Sequence, residues 1–215
     1  MFQRAKPAIT GAFALTLLGC GDAGPSSSAA TPAATTTAAS AEARTLPRID
    51  LDGIRALVAE ASANNQVVVI DFWATWCVPC VEMFPHLHSG LKEFGDRVVS
   101  VSVSFDSDDA TPDGETYEAK AHDFLVQQDA LKHGYITPAP ADQEAIVDQL
   151  GPAWQHVAPP AVYVFGPDGE LSAEFVGAPD PAATAGEIVA RVGELVVAGD
   201  DATASVPASP GPSDG

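Results

Sequence analysis

Two cysteines three positions apart, in Trp76-Cys77-Val78-Pro79-Cys80, are the residues best placed for chemistry. A pair at this spacing closes a small disulfide and can reopen it. An apolar run precedes the pair and a helical pattern follows it, so Cys77 is expected at a helix N-terminus. There the unpaired backbone N–H groups and about half a positive charge favour a thiolate. A thiol so placed can titrate at about 3.5–7.5 instead of about 8.5, which makes Cys77 the expected nucleophile. Cys80, one turn later, is expected to resolve the mixed disulfide. Two plainer explanations stand beside this one. Half a zinc site would need a second ligand pair at set spacing. Only His86 and His88 follow nearby, with Pro85 before them, and both histidines are expected on a partly exposed helix face. A static disulfide is the other.

The elements that must position the pair follow from pattern. Asp50 to Ala63 has helical spacing at Ile54, Leu57, Val58 and Ala61, with Asp50 or Asp52 as the cap. Val67-Val68-Val69-Ile70, within a strand over 66–73, suits burial on both faces. A helix is expected over 77–94, kinked at Pro85. Further expectations are a strand over 98–105 and an acidic loop over 106–116 containing Asp106, Asp108, Asp109, Asp113 and Gly114. Then come a helix over 115–133, an extended piece near Tyr135-Ile136-Thr137 and a short helix over 143–150. A hairpin (161–165 and 170–176) turns at Gly166-Pro167-Asp168-Gly169. A last helix starts at Asp180-Pro181 and buries Ile188, Val192, Leu195 and Val196. This order implies an α/β domain whose mixed sheet carries helices on both faces.

Composition sets the outer limits. The chain has 215 residues, 46% apolar and 7% aromatic, enough for one packed domain with extensions. Acids outnumber bases 29 to 10, for a net charge of −19. Such a surface argues against binding nucleic acid or anionic lipid through basic patches. Three cysteines cannot staple a disulfide-rich mini-domain. The third, Cys20, closes a short basic start (Arg4, Lys6) and an uncharged run over 7–19 that ends Leu17-Leu18-Gly19-Cys20. That run is shorter than the ~20 residues a membrane span needs. It resembles a bacterial lipoprotein signal (1–19), with Cys20 as the lipidated residue. Residues 20–46 are rich in Gly, Ala, Ser, Thr and Pro and are expected to be a flexible tether. The folded domain is expected over 47–198, followed by an unstructured tail over 199–215.

The segment Val67 to Cys80, with Pro85 five residues on, resembles the thioredoxin superfamily. The likeness is strongest to the exported, membrane-anchored thiol–disulfide oxidoreductases of the TlpA and ResA type. It implies a thioredoxin-like three-layer fold, with a strand–helix insertion before the strand at 161–165. It also implies a redox-active Cys77–Cys80 disulfide. It gives Asp71, six residues before Cys77, the role of a buried proton carrier for Cys80. Anchored relatives often use a glutamate three residues after the second cysteine; that position is Met83 here, with Glu82 one residue early. Pro160 is the implied cis-proline facing the cysteines, and Trp76, Pro79 and Pro160 are the implied substrate cleft. Pro159 departs from the pattern. It has no N–H, so one backbone hydrogen bond to a bound substrate strand should be missing.

Together these expectations describe an exported, lipid-anchored disulfide reductase. It would act on protein disulfides or thiols, with a membrane electron donor. The dithiol itself serves in place of any organic cofactor or metal. Two alternatives on the same fold are a copper-delivery protein and a non-catalytic binding module.

Overall fold

The computed structural model of the chain describes residues 44–151 and 159–204. The expected signal segment, Cys20, the tether up to residue 43 and the tail from 205 lie outside the described residues. No helix among the described residues is long and apolar enough to cross a membrane.

Strand β1 (Val67–Trp73) is buried at every position, as its unbroken β-branched run requires. It pairs in parallel with β2 (Val98–Ser104) and antiparallel with β4 (Ala161–Phe165). Short β3 (Gly134–Ile136) extends the sheet beyond β2, and β5 (Leu171–Val176) extends it beyond β4. The order β3-β2-β1-β4-β5 makes a mixed five-stranded sheet with β1 at its centre.

Alternate residues of β1 serve opposite faces. Val68, Ile70 and Phe72 pack with Val101, Val103 and Tyr163 against Ile54 and Val58 of α1 (Leu51–Ala63) and Ile146 of α4 (Pro140–Gln149). Val67 and Val69 pack with Met83, Leu87 and Leu91 of α2 (Val78–Lys92) and Ile188, Val192 and Val196 of α5 (Pro181–Ala204). A third cluster closes the end of the sheet that carries the cysteines. It joins Trp73, Cys77, Cys80 and Phe84 to Ala121 and Leu125 of α3 (Tyr117–Gln127) and to Leu46. This is a thioredoxin-like fold. Burying each large aliphatic side chain contributes roughly 1.5–3 kcal/mol.

Several expected boundaries move, each for a local reason. The helix expected over 115–133 begins at Tyr117, because the Thr116 side chain accepts from Ala119 N–H as its cap. It ends at Gln127, before Asp129 enters the left-handed region at φ 53°, and a 3-10 turn at Leu131–His133 follows. Helix α4 starts three residues earlier than expected, with Pro140 in its first turn. Helix α2 stays helical on both sides of Pro85.

The termini of the domain also shift. The tether does not run to residue 46: Leu46 is buried, and its N–H donates to Glu118 Oε1 at 3.0 Å. Ile136 N–H donates to Pro47 O, and Ile49 N–H donates to Ile136 O. The entering chain thus covers the free edge of β3, as exposed strand edges require. Arg44 pins this segment to Asp123 and Glu115 of the α3 region. At the other end α5 runs to Ala204, past the expected limit at 198, because Val192 and Val196 hold its preceding turns on α2 and the sheet.

Gly90 lies where α2 meets α5. A Cβ there would come within 2.6 Å of Val189 Cγ2, and a β-branched valine on a helix has little rotamer freedom. On an exposed helix face Gly→Ala gains up to about 1 kcal/mol. Here the sign reverses: Gly90→Ala should destabilise by roughly 1–3 kcal/mol through overpacking. Urea melts of the two proteins check this, and a stabilised variant would contradict the packing described.

Candidate redox site

The cysteines sit where β1 hands the chain to α2. Cys77 is the N-cap of α2, and its Sγ accepts from Cys80 N–H at 3.3 Å. The two residues are joined by a disulfide, with Cα atoms 5.3 Å apart. Both are buried, but their surroundings differ. Cys77 is flanked by Trp76, 53% exposed, and Val78, 65% exposed, which make an apolar rim over the pair. Cys80 faces the interior, in the cluster with Trp73 and Phe84. Pro79 is half-buried in the first turn of α2.

The Pro159–Pro160 peptide bond is cis, and Pro160 leads directly into β4. The antiparallel register sets Phe72 opposite Ala161, so Pro160 emerges beside the end of β1. Cys77 Sγ lies 3.3 Å from Pro159 O, a carbonyl to which the reduced thiol can donate. The residue that lacks an N–H thus still points its acceptor at Cys77.

Asp71 lies on β1 with the parity of Val67, Val69 and Trp73, the face covered by α2. It is 1% exposed, and neither carboxylate oxygen has a hydrogen-bond partner among the described residues. Burial alone pushes its pKa up to about 7, because the charged form loses hydration without compensation. Glu82 is exposed on the outer side of α2, while Met83 is buried against the sheet. The glutamate is therefore turned away from the interior where Asp71 lies.

Residues 55–127 match the family described as Thioredoxin. The chain is 40% identical to the thioredoxin-like protein YneN of Bacillus subtilis (strain 168) over 45 residues, 21% of this chain and 26% of that protein. It is 30% identical to the thiol-disulfide oxidoreductase ResA of Oceanobacillus iheyensis over 139 residues, 62% of this chain and 61% of that one. A solved thiol:disulfide interchange protein from Chlorobium tepidum TLS overlays with a TM-score of 0.48 at 16% identity, covering 64% of this chain and 83% of that one. Residues 55–127 are thus those of a thioredoxin domain. The similarity to ResA reaches beyond the matched family segment and supports the TlpA/ResA-like type. The chain spans less than two thirds of the length of these curated relatives.

Two members of the site emerge only from the fold. Asp106, expected in an acidic loop, is in that loop but completely buried. It accepts from Thr75 N–H at 2.9 Å, Thr75 Oγ1–H at 2.7 Å and Ser104 Oγ–H at 2.7 Å. Burial raises its pKa, and these three bonds oppose the rise. The carboxylate thereby ties down the turn that presents Trp76 and Cys77. The second is His88. A partly exposed face was expected for it; it is instead buried and stacked on Phe84, 3.9 Å between ring centres. Only His86 is exposed. The four-residue step from Phe84 to His88 was the available signal, since it puts both on one side of the helix. Among the described residues, no three His, Cys, Asp or Glu side chains cluster as a metal site.

The Asp71 shift makes stability depend on pH. Asp71 binds its proton more tightly when folded (about 7) than when unfolded (3.8). Stability is therefore greatest below the unfolded value, falls as pH rises between the two, and levels off above the folded one. The loss is on the order of 4 kcal/mol at 1.36 kcal/mol per pKa unit. Asp71→Asn removes the titration. In its oxidised form it should show a flatter stability–pH curve and exceed the wild type above pH 7, measured by chemical denaturation across that range. Equal curves would mean that the carboxyl is solvated.

Proposed function

We propose that the chain is an extracytoplasmic thiol–disulfide oxidoreductase that works as a disulfide reductase on protein substrates. The observation that carries this reading is the disulfide between an N-cap Cys77 and an interior Cys80, facing a cis Pro159–Pro160 bond. In the reduced protein the Cys77 thiolate attacks one sulfur of a substrate disulfide. The substrate's other sulfur leaves as a thiolate and takes a proton from solvent. Cys80 then gives its proton to Asp71 and attacks Cys77 Sγ. The second substrate sulfur leaves as a thiolate that takes a proton from solvent, and the protein holds the Cys77–Cys80 disulfide. Two electrons have passed to the substrate, and a membrane-bound dithiol donor would return them. Trp76, Pro79 and Pro160 would bound the cleft. The burial of Asp71 supports its role, because a base that titrates near 7 suits work at neutral pH.

The trapping experiment separates the two thiols. Cys80→Ser should accumulate mixed disulfides with client proteins, while Cys77→Ser should accumulate none, read on non-reducing gels. Equal trapping by both variants would overturn the division of labour.

The basic start, the uncharged run and Leu17-Leu18-Gly19-Cys20 support export and lipidation at Cys20. The mature chain should then begin at a diacylated Cys20 by mass spectrometry, and Cys20→Ser should be left unprocessed or released from the membrane. A mature N-terminus elsewhere would remove the anchor from this reading.

A further inference from the structure

Helix α2 carries one buried titratable side chain that the chemistry above leaves unused. His88 Nε2 lies 3.1 Å from Ser102 Oγ, and its Nδ1 lies 3.4 Å from Ser100 Oγ. Ser102 stands in register with Asp71 on the adjacent parallel strand. Paired residues of neighbouring strands share a face, and strands run about 4.8 Å apart. The Ser102 hydroxyl and the unpartnered Asp71 carboxyl therefore stand side by side under α2. In the other direction, His88 and Ser100 line a surface cavity of about 260 Å³. A hydrogen-bonded row, Ser100–His88–Ser102, thus leads from solvent to the residue beside Asp71, and a swing of the Asp71 carboxyl onto Ser102 Oγ closes the last step. The row enters from the flank of α2, away from Trp76 and Pro160.

We propose that His88, acting through Ser102, is a positioning residue that exchanges the proton of Asp71 with water in this cavity. The inference rests on the proposed role of Asp71 as proton carrier for Cys80. A second route is needed because Cys80 is 1% exposed and a docked substrate covers the rim at Trp76. When the dithiol is oxidised, Asp71 has just received the Cys80 proton. The carboxyl swings onto Ser102 Oγ and its O–H proton passes there as the serine proton passes to His88 Nε2, and the proton on Nδ1 leaves to water. When the disulfide is reduced again, a proton enters at Nδ1 and the same steps run backwards. The imidazole tautomer is thereby reset once per turnover.

The electrostatic setting suits a neutral relay. Burial, and then Lys92, lowers the pKa of His88 to about 4, so the ring is uncharged at neutral pH and offers one donor and one acceptor. Lys92 comes from its own helix; Lys132, His133, Asp96 and Asp129 face it across the cavity. The strand neighbours of Asp71 are Ser102 and Val162, neither charged, and α2 and α5 cover this face with Met83, Leu87 and Ile188. A cation in place of His88 would stabilise the Asp71 carboxylate and pull its pKa down. A neutral imidazole conducts the proton and leaves that pKa high.

The test uses the full chain, reducing insulin disulfides between about pH 6 and 9 in H₂O and D₂O. Ser102→Ala should slow turnover about tenfold with an enlarged solvent isotope effect, part of the ~10²–10⁴ that a general base supplies, while Ser102→Thr, which keeps the hydroxyl, should stay within about twofold. His88→Ala should be slowed likewise and recover on adding imidazole, which fits the enlarged cavity. If Ser102→Ala keeps the wild-type rate, pH profile and isotope effect while Asp71→Asn is slow, the relay is overturned and Asp71 stands. If Asp71→Asn also matches the wild type, both fall. Should His88→Ala fail to fold, the contrast between Ser102→Ala and Ser102→Thr decides alone.

Discussion

Strand β1 pairs with β2 so that Val67 meets Val98 and Trp73 meets Ser104, and the positions of Asp71, Thr75 and Cys77 follow from that register. The ladder does not stop at the strand ends. Phe105 N–H donates to Trp73 O at 2.8 Å, and one residue on, Asp106 takes the Thr75 N–H and hydroxyl. Cys77 N–H then closes the turn on Ala74 O. Cys77 is thus held by backbone on one side and a buried carboxylate on the other. On the opposite edge of β1, the β4 register brings the cis Pro159–Pro160 bond to the same end of the sheet. A one-residue slip in either pairing would turn Asp71 to the α1 face and separate the cis-proline from Cys77.

The face of the sheet under α2 is unusual in being partly polar. Ser100, Ser102 and Ser104 alternate along β2 with Val101 and Val103, which belong to the opposite core. Buried hydroxyls cost free energy unless bonded. Here Ser104 donates to Asp106, while Ser100 and Ser102 meet His88. The Asp71 carboxyl and the Trp73 indole N–H are exceptions, with no such partner among the described residues. An all-apolar face would pack as well and carry no such penalty. The fold therefore retains an uncompensated carboxyl in this layer, and it lies under the helix that starts at the cysteines. Strain of this kind is expected where a site needs a perturbed acid.

Much of this was legible from sequence because the information is local. The apolar run, the Cys77–Cys80 pair and the Asp50 cap each lie within a few residues of what they control. Asp106 does lie in a loop, but its burial was not foreseen and His88 was misjudged, because their partners are remote. Thr75 is 31 residues from Asp106, and Ser102 is 14 from His88. An aspartate followed by Asp108 and Asp109 has the composition of a loop. Only the parallel return of β2 alongside β1 brings it under Thr75. The N-terminal limit failed for a similar reason: nothing in Arg44 to Ile49 signals a strand, yet Leu46 completes the cluster around the cysteines and the backbone caps β3.

The two cysteines, although one turn apart, sit in opposing fields. Cys77 lies at the positive end of α2, which stabilises its thiolate and favours the reduced dithiol. Cys80 lies a turn inside, where burial penalises a thiolate and an ionised Asp71 would repel it. Below the Asp71 pKa of about 7 the acid is neutral and the repulsion is absent. Above it the carboxylate charge opposes a thiolate at Cys80, favours the disulfide and makes the reduced protein the stronger electron donor. The helix end and the buried acid thus pull the reduction potential in opposite directions, and only the acid's contribution changes with pH near neutrality. On the proposed reading, protonation of Asp71 accompanies electron transfer and also sets how strongly the pair reduces. A neutral His88–Ser102 pair beside it preserves that control, because it adds no fixed charge to either cysteine's field.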